Sequence, residues 1–357
     1  MDAGAFNVRP LALAAGVAAV IAAIAIAFLS RGADAYVAHP LVSDRGLGAR
    51  VHDAELVNGW GLAASPTGPW WTTSEATGAS TLYDGDGRKQ TLTVRVGGGP
   101  TGIVYNGGRG FVVRDGGASG PARFIYACED GTIRGWSPVV PTGWSTQAVV
   151  AVDAGATAAV FRGIAIAHGR LYATDFHNDR VLVYDARWRP VVRRGAFVDP
   201  AMSEWYAPFG IQAAESRIFV SYAYRAPVNG NDAPTGGFVD EFDLDGRLVA
   251  RVGTMGPLHE PWGMAEGPDG RLYVANFGTG RITIFSRRSS GWHFDGYLRA
   301  RSGKPLSVNG VWGVAFGNGA MAGPKDTLFF AAGPHRWRGA TEESVHGLFG
   351  AIRRHSK

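Results

Sequence analysis

An all-β domain of six repeated, four-stranded units is what this sequence of 357 residues predicts, on three observations. A short element recurs six times: one residue, then Gly, then an alternating apolar run. Its copies are Trp60-Gly61, Thr101-Gly102, Arg162-Gly163, Phe209-Gly210, Trp262-Gly263 and Trp312-Gly313, with the glycines 41, 61, 47, 53 and 50 residues apart. Each copy is followed by short segments rich in Val, Ile, Tyr and Phe and bounded by Gly, Asp or Asn, the pattern of strands and tight turns. No apolar pattern with a 3.6-residue period follows the N-terminal region, so helix content should be very low. Four short antiparallel strands form one blade, and self-similarity at this period makes the ring of blades a six-bladed β-propeller.

Taken in order, residues 1–35 read as an address rather than as fold. Residues 11–29 carry no charge, and Ala33-Asp34-Ala35 is a small-x-small cleavage pattern before Tyr36. The run just reaches spanning length, but nine of its residues are Ala, which favours a cleaved signal peptide over an N-terminal membrane anchor. Either places the domain, residues 36–357, outside the cytoplasm: secreted, periplasmic or at the cell surface. The third and fifth repeats are the cleanest: RGIAIAHG, RLYATDFHNDR, VLVYDA and VVRRGAFV, then WGMAEGPDG, RLYVANFGTGR, ITIFSR and WHFDGYLRA. Residues 107–121 and 225–237 read as Gly/Pro/Asn-rich loop insertions. The sixth repeat (WGVAFG, DTLFFAAG, HGLFGAIRR) stops one strand short, and residues 36–43 (YVAHPLVS) are the spare strand that would close the last blade and cover its edge.

Composition removes several classes. Cys128 is the only cysteine and lies in an apolar run, so it reads as a buried, inert thiol. Net charge is +5, and residues 281–357 carry twelve Lys/Arg against four Asp/Glu. Those basic residues are scattered among turns with no nucleic-acid motif, so the basic face is solvated and no nucleic-acid partner is expected. The chain has no Gly-rich loop ending in Lys-Ser/Thr, no G-x-S-x-G, no H-E-x-x-H and no paired CxxC. A monomer is expected, whose partner is a small molecule or a protein.

In such a ring the innermost strands line the central channel. The residues before the repeat glycines, Trp60, Thr101, Arg162, Phe209, Trp262 and Trp312, should therefore encircle the axis. Four of the six are aromatic, a stacking surface for a sugar, a quinone or a cation, or else packing between tapering blades. Polar residues recur after the second strand. Asp175 and Asn276 suit turn stabilisation, whereas Glu129, His177 and His335 break the pattern and are the candidates for acid/base chemistry. The DGDG at 84–87 and DLDG at 243–246 read as strand-connecting turns.

The ordered set NGWGLAASP, STLYDGDG, GGGPTGIVYN, ACEDGTIRGW, LYATDFHNDRV, YAPFGIQ, GFVDEFDLDG, PWGMA, NFGTGRI, GVWGVAFGNG and HGLFGAI resembles a family of uncharacterised secreted bacterial proteins, six-bladed propellers related to NHL-repeat and gluconolactonase-like proteins. The resemblance runs from about Tyr36 to Arg353 and implies fold and export but no activity. In the gluconolactonase-like relatives an axial divalent cation, calcium or magnesium, is held by oxygen ligands, often from an Asp or Asn directly before the inner-strand Gly. None of the six positions here holds either residue. Asn58, Glu260 and Asn309, shortly before repeat glycines, are the substitutes, with His259 nearby. The expected function is therefore a ligand-binding or protein-interaction scaffold using the channel mouth. The alternative is a metal-dependent lactonase or hydrolase in the same channel.

Overall fold

Strand-forming segments separated by turn residues fold here into six antiparallel sheets arranged as a propeller. The computed structural model describes residue 1 and residues 35–225, 236–338 and 341–355. The signal-peptide reading and most of the 225–237 insertion lie outside the described residues. The inner strands of blades 1 to 6 are Gly59–Ala64, Pro100–Tyr105, Phe161–Ala167, Tyr206–Ala214, Pro261–Glu266 and Val311–Phe316, each holding one repeat glycine. Second strands such as Trp70–Ser74, Phe124–Cys128, Leu272–Asn276 and Leu328–Ala332 are buried on both faces, because each blade packs against a neighbour on either side. Outer strands such as Lys89–Arg95 bury far less of themselves. Among the described residues the one helical element is the short 3-10 turn Gly155–Thr157.

The repeat glycine has a steric cause. A Cβ on Gly61 would meet the Thr101 carbonyl of blade 2, and one on Gly102 the backbone of Ile164 in blade 3. The same holds from Gly163 to Phe209 and Ile211, from Gly210 to Trp262, from Gly263 to Trp312, and from Gly313 back to Trp60. Each inner strand thus abuts the backbone of the next, and the six contacts form a closed circle. Hydroxyls staple some of these joints: Gly61 N–H donates to Thr73 Oγ1 (2.7 Å), which donates to the Thr101 carbonyl (2.6 Å). Thr174 does the same between Gly163 (2.7 Å) and the Phe209 carbonyl (2.8 Å).

Ring closure follows the sequence expectation. Ala35–Ser43 pairs antiparallel with Leu348–Arg354, Tyr36 opposite Arg354 and Ser43 opposite Leu348, so the N-terminal strand is the outer strand of blade 6. Leu41 and Val42 are buried in the core between blades 6 and 1.

The expectation of four strands in every blade is corrected at blade 3, which has three: Phe161–Ala167, Arg170–Asp175 and Arg180–Asp185. The segment VVRRGAFV does not pair as a fourth strand. Phe197 takes a left-handed backbone conformation and inserts against Tyr172 and Phe242, pulling the chain off the sheet edge. The 107–121 insertion is also more ordered than a loop, since Val112–Asp115 and Ala118–Pro121 form a hairpin. A second hairpin, His335–Arg338 with Thr341–Val345, is inserted in blade 6. Cys128 packs among Trp71, Phe124, Tyr126 and Trp136, and burial pushes its thiol up to about 12, as expected of an inert residue.

Candidate functional site

The six residues before the repeat glycines sit at the channel end where the inner strands begin. Their aromatic members turn inward and fill the axis. Trp60 stacks on Trp312 with centroids 3.8 Å apart, Trp262 meets Trp60 edge-on at 5.6 Å, and Phe209 lies 5.9 Å from Trp312. All four are buried in one cluster. Below this plug the glycines leave an axial space of only about 40 Å³. Thr101 is buried, its hydroxyl between the carbonyls of Phe161 (3.0 Å) and Ala127 (3.2 Å).

Arg162 closes one side of the plug. Its guanidinium lies 5.3 Å from the Trp60 ring centroid and 5.9 Å from that of Phe176, and pairs with Glu129. Burial pulls its pKa down to about 10, against the attraction of Glu75. Glu75 and Glu129 face each other across Gly99, where a Cβ would stand 3.5 Å from an oxygen of each. The indole N–H groups of Trp60 and Trp262 and the Arg162 Nε are buried without an acceptor among the described residues.

The opening lies beside the plug, on blades 5 and 6. A pocket of about 580 Å³ is lined by His259, Glu260, Phe277, Thr279, Ser307, Asn309 and His335 together with Gly278 and Gly280. The Phe277 ring stacks on Trp312 at 3.8 Å and lies 5.0 Å from the His335 ring, so an aromatic column runs from the pocket to the axis. Asn309 donates to the His335 carbonyl at 3.1 Å and thereby ties the inserted hairpin to the rim. Burial raises the Glu260 carboxyl, while His259 and His335 oppose the shift.

The structure thus brings together Glu260, Asn309 and His335 from the sequence candidates and separates the others. Glu129 is engaged by Arg162. His177 is exposed on the rim of blade 3, its carbonyl accepting from Arg225. Asn58 donates to Glu75 (2.8 Å) and accepts from the Trp312 indole (3.3 Å). Of the cation set Asn58, Glu260 and Asn309, the last two line this pocket and Asn58 does not. Among the described residues no three His, Cys, Asp or Glu side chains form a group that could hold a metal ion. Asp175 and Asn276 bond nearby turns, Asp175 to the amides of Val160 and Asn178, Asn276 to the amide of His259.

Four site residues escape a reading based on the glycines: Glu75, Phe277, Thr279 and Ser307. The first residue after each second strand supplies a ring of its own, Glu75, Glu129, Phe176, Arg225, Phe277 and Gly333. The paired texts Asp175-Phe176 and Asn276-Phe277 carried that signal in the sequence.

No family model matches the chain. Two proteins of Acanthamoeba polyphaga mimivirus do: uncharacterised protein R648, 30% identical over 335 residues (87% of this chain, 78% of that one), and uncharacterised protein L690, 29% identical over 335 residues (87% and 84%). These relatives are viral, whereas the resemblance in the sequence implied bacterial ones. Among solved structures, that of a streptogramin B lyase superposes with a TM-score of 0.52 over 90% of this chain and 97% of its own, at 11% identity, a likeness of architecture.

Proposed function

This chain belongs to the family of the mimivirus protein R648, and for it we propose a binding propeller whose ligand sits in the channel mouth of blades 5 and 6. The pocket beside Phe277 carries the reading: one aromatic wall backed by Trp312, with a carboxyl, an amide, two hydroxyls and two imidazoles around it. An aromatic surface surrounded by convergent hydrogen-bonding groups suits a polyhydroxylated ring such as a sugar. The apolar run of residues 11–29 supports export, which would put this mouth in contact with extracellular or envelope glycans.

The test is calorimetric titration of residues 35–355 with a panel of mono- and oligosaccharides. At least one should bind, and Asn309→Ala and Glu260→Gln should each weaken it about tenfold, the scale of one lost polar contact. A panel without binding, or variants that bind like the wild type, would overturn the reading. Acid–base catalysis is the second reading, favoured by the raised Glu260 carboxyl between His259 and His335. Conversion of a bound sugar that stops in Glu260→Gln, with binding retained, would select it.

A further inference from the structure

The missing fourth strand of blade 3 leaves an unusual feature far from the channel. Its third strand, Arg180–Asp185, is the edge of the sheet. After it the chain turns back and covers the far half of that edge, through the Tyr184–Pro190 bridge with its Asp185 N–H to Arg189 carbonyl (2.9 Å) and Val191 N–H to Val183 carbonyl (2.7 Å) bonds, and leaves the half at Val181 open. Phe197 then draws the segment towards blade 4, its N–H bonding the Gly246 carbonyl at 2.7 Å. Between the edge strand, this diverted segment and the Leu244–Asp245 turn lies a groove of about 320 Å³, with Val181, Val183, Val191, Phe197 and Leu244 among its walls. An edge strand presents backbone donors and acceptors to a further strand, and apolar walls beside it receive alternate side chains.

The surroundings are basic. Arg187, Arg189, Arg193 and Arg194 are exposed around the groove, and Arg189 and Arg193 pair with Asp185 and Asp245. Arg187 and Arg194 have no ion pair among the described residues, so their charge is uncompensated. Val192 stands between them 87% exposed. A second copy presenting the same edge would set one arginine cluster against another, which like-charge repulsion opposes. A partner must therefore be of opposite charge.

We infer that the open edge of blade 3 is a docking strand for an acidic, extended peptide. The peptide pairs its backbone with the open part of the edge, Arg180 to Val183, sets apolar side chains into the groove and directs Asp or Glu side chains to Arg187, Arg193 and Arg194. The surface is separate from the channel mouth, so its success or failure is independent of the sugar-binding reading.

The experiment is fluorescence anisotropy of a labelled, alternating Glu–Val peptide against the full chain, with sedimentation velocity on the protein alone. Binding should fall about tenfold or more in the Arg193→Glu/Arg194→Glu variant, whose substitutions lie on exposed side chains. N-methylating the peptide amides along one edge should abolish binding, and along the other edge should leave it intact, since only one edge can join the sheet. Absence of binding overturns the inference. So does equal binding of an alternating Lys–Val peptide, binding that tolerates N-methylation on both edges, or a dimer that the double variant dissociates.

Discussion

Glu260 is the residue where packing and chemistry meet. It stands three positions before a repeat glycine in a left-handed backbone conformation, and burial between blades raises its carboxyl pKa. A carboxyl raised in the folded state holds its proton more tightly there than in the unfolded chain. Its contribution is therefore fully present below the ordinary Glu range and is lost as pH rises through the raised folded value. Glu260→Gln removes that loss, so the variant should gain on the wild type as pH rises from 4 to 7.5, by about 1 kcal/mol for a partly screened group. Urea unfolding of both proteins across that range is the measurement, and a constant difference between them would contradict it. At this scale the sequence was only partly readable. It placed Trp60, Trp262 and Trp312 on the axis because position along an inner strand follows from the repeat glycine. It could not show that the channel is narrow enough for those rings to stack on one another, because radius comes from how closely neighbouring inner strands approach. Nor did any glycine flag Glu75 and Phe277, which belong to the ends of second strands.

At the scale of the element, the inner strand is built around one contact, repeated from blade to blade. An added Cβ at Gly210 would run into the Trp262 carbonyl of the next blade, a backbone atom with nowhere to retreat. Gly210→Ala should therefore cost about 3 kcal/mol or more, at the severe end for a core substitution. Gly143→Ala, where nothing lies within 4 Å of the new methyl, should stay within about 0.5 kcal/mol of wild type. Equal effects of the two substitutions in denaturant unfolding would sink the steric account. Strands were readable wherever alternation and turn residues agreed, as in blades 5 and 6. Blade 3 departs because VVRRGAFV has strand-like composition while Phe197 gains more by filling the space beside Tyr172 and Phe242 than by extending the sheet. The glycines of residues 107–121 suggested a loop, yet Gly116 and Gly117 have the positive φ of a tight hairpin tip.

For the whole molecule, the ring has no intrinsic beginning; its first and last strands meet because one blade is shared between them. Ala35 accepts from the His355 N–H at 2.7 Å, and Tyr36 lies opposite Arg354, so in a permuted ring of residues 35–355 a short turn can join His355 to Ala35 as a hairpin. New ends can then be opened elsewhere. A permutant starting at Ser290 and ending at Ser289 cuts the exposed turn between the last two strands of blade 5, Ile282–Arg288 and Gly291–Tyr297. Its N-terminal segment becomes the outer strand of a blade whose other three strands come from the C-terminus, the same closure now used in blade 6. It should unfold in one cooperative transition within about 2 kcal/mol of the wild type, as cuts at exposed tips usually do. A permutant opened between Gly97 and Gly98 is cut at the boundary of blades 1 and 2, so its ends share no blade and its seam is held by packing and a few isolated bonds, such as Arg95 N–H to the Thr146 carbonyl (2.8 Å) and Thr73 Oγ1 to the Thr101 carbonyl, rather than by a strand ladder. It should be less stable than the Ser290 permutant by more than about 3 kcal/mol, because interstrand bonds and the burial they direct no longer oppose opening of the seam. Chemical unfolding of the two proteins side by side decides the matter: equal stability would mean that contacts between neighbouring blades suffice for closure and that the shared blade contributes nothing.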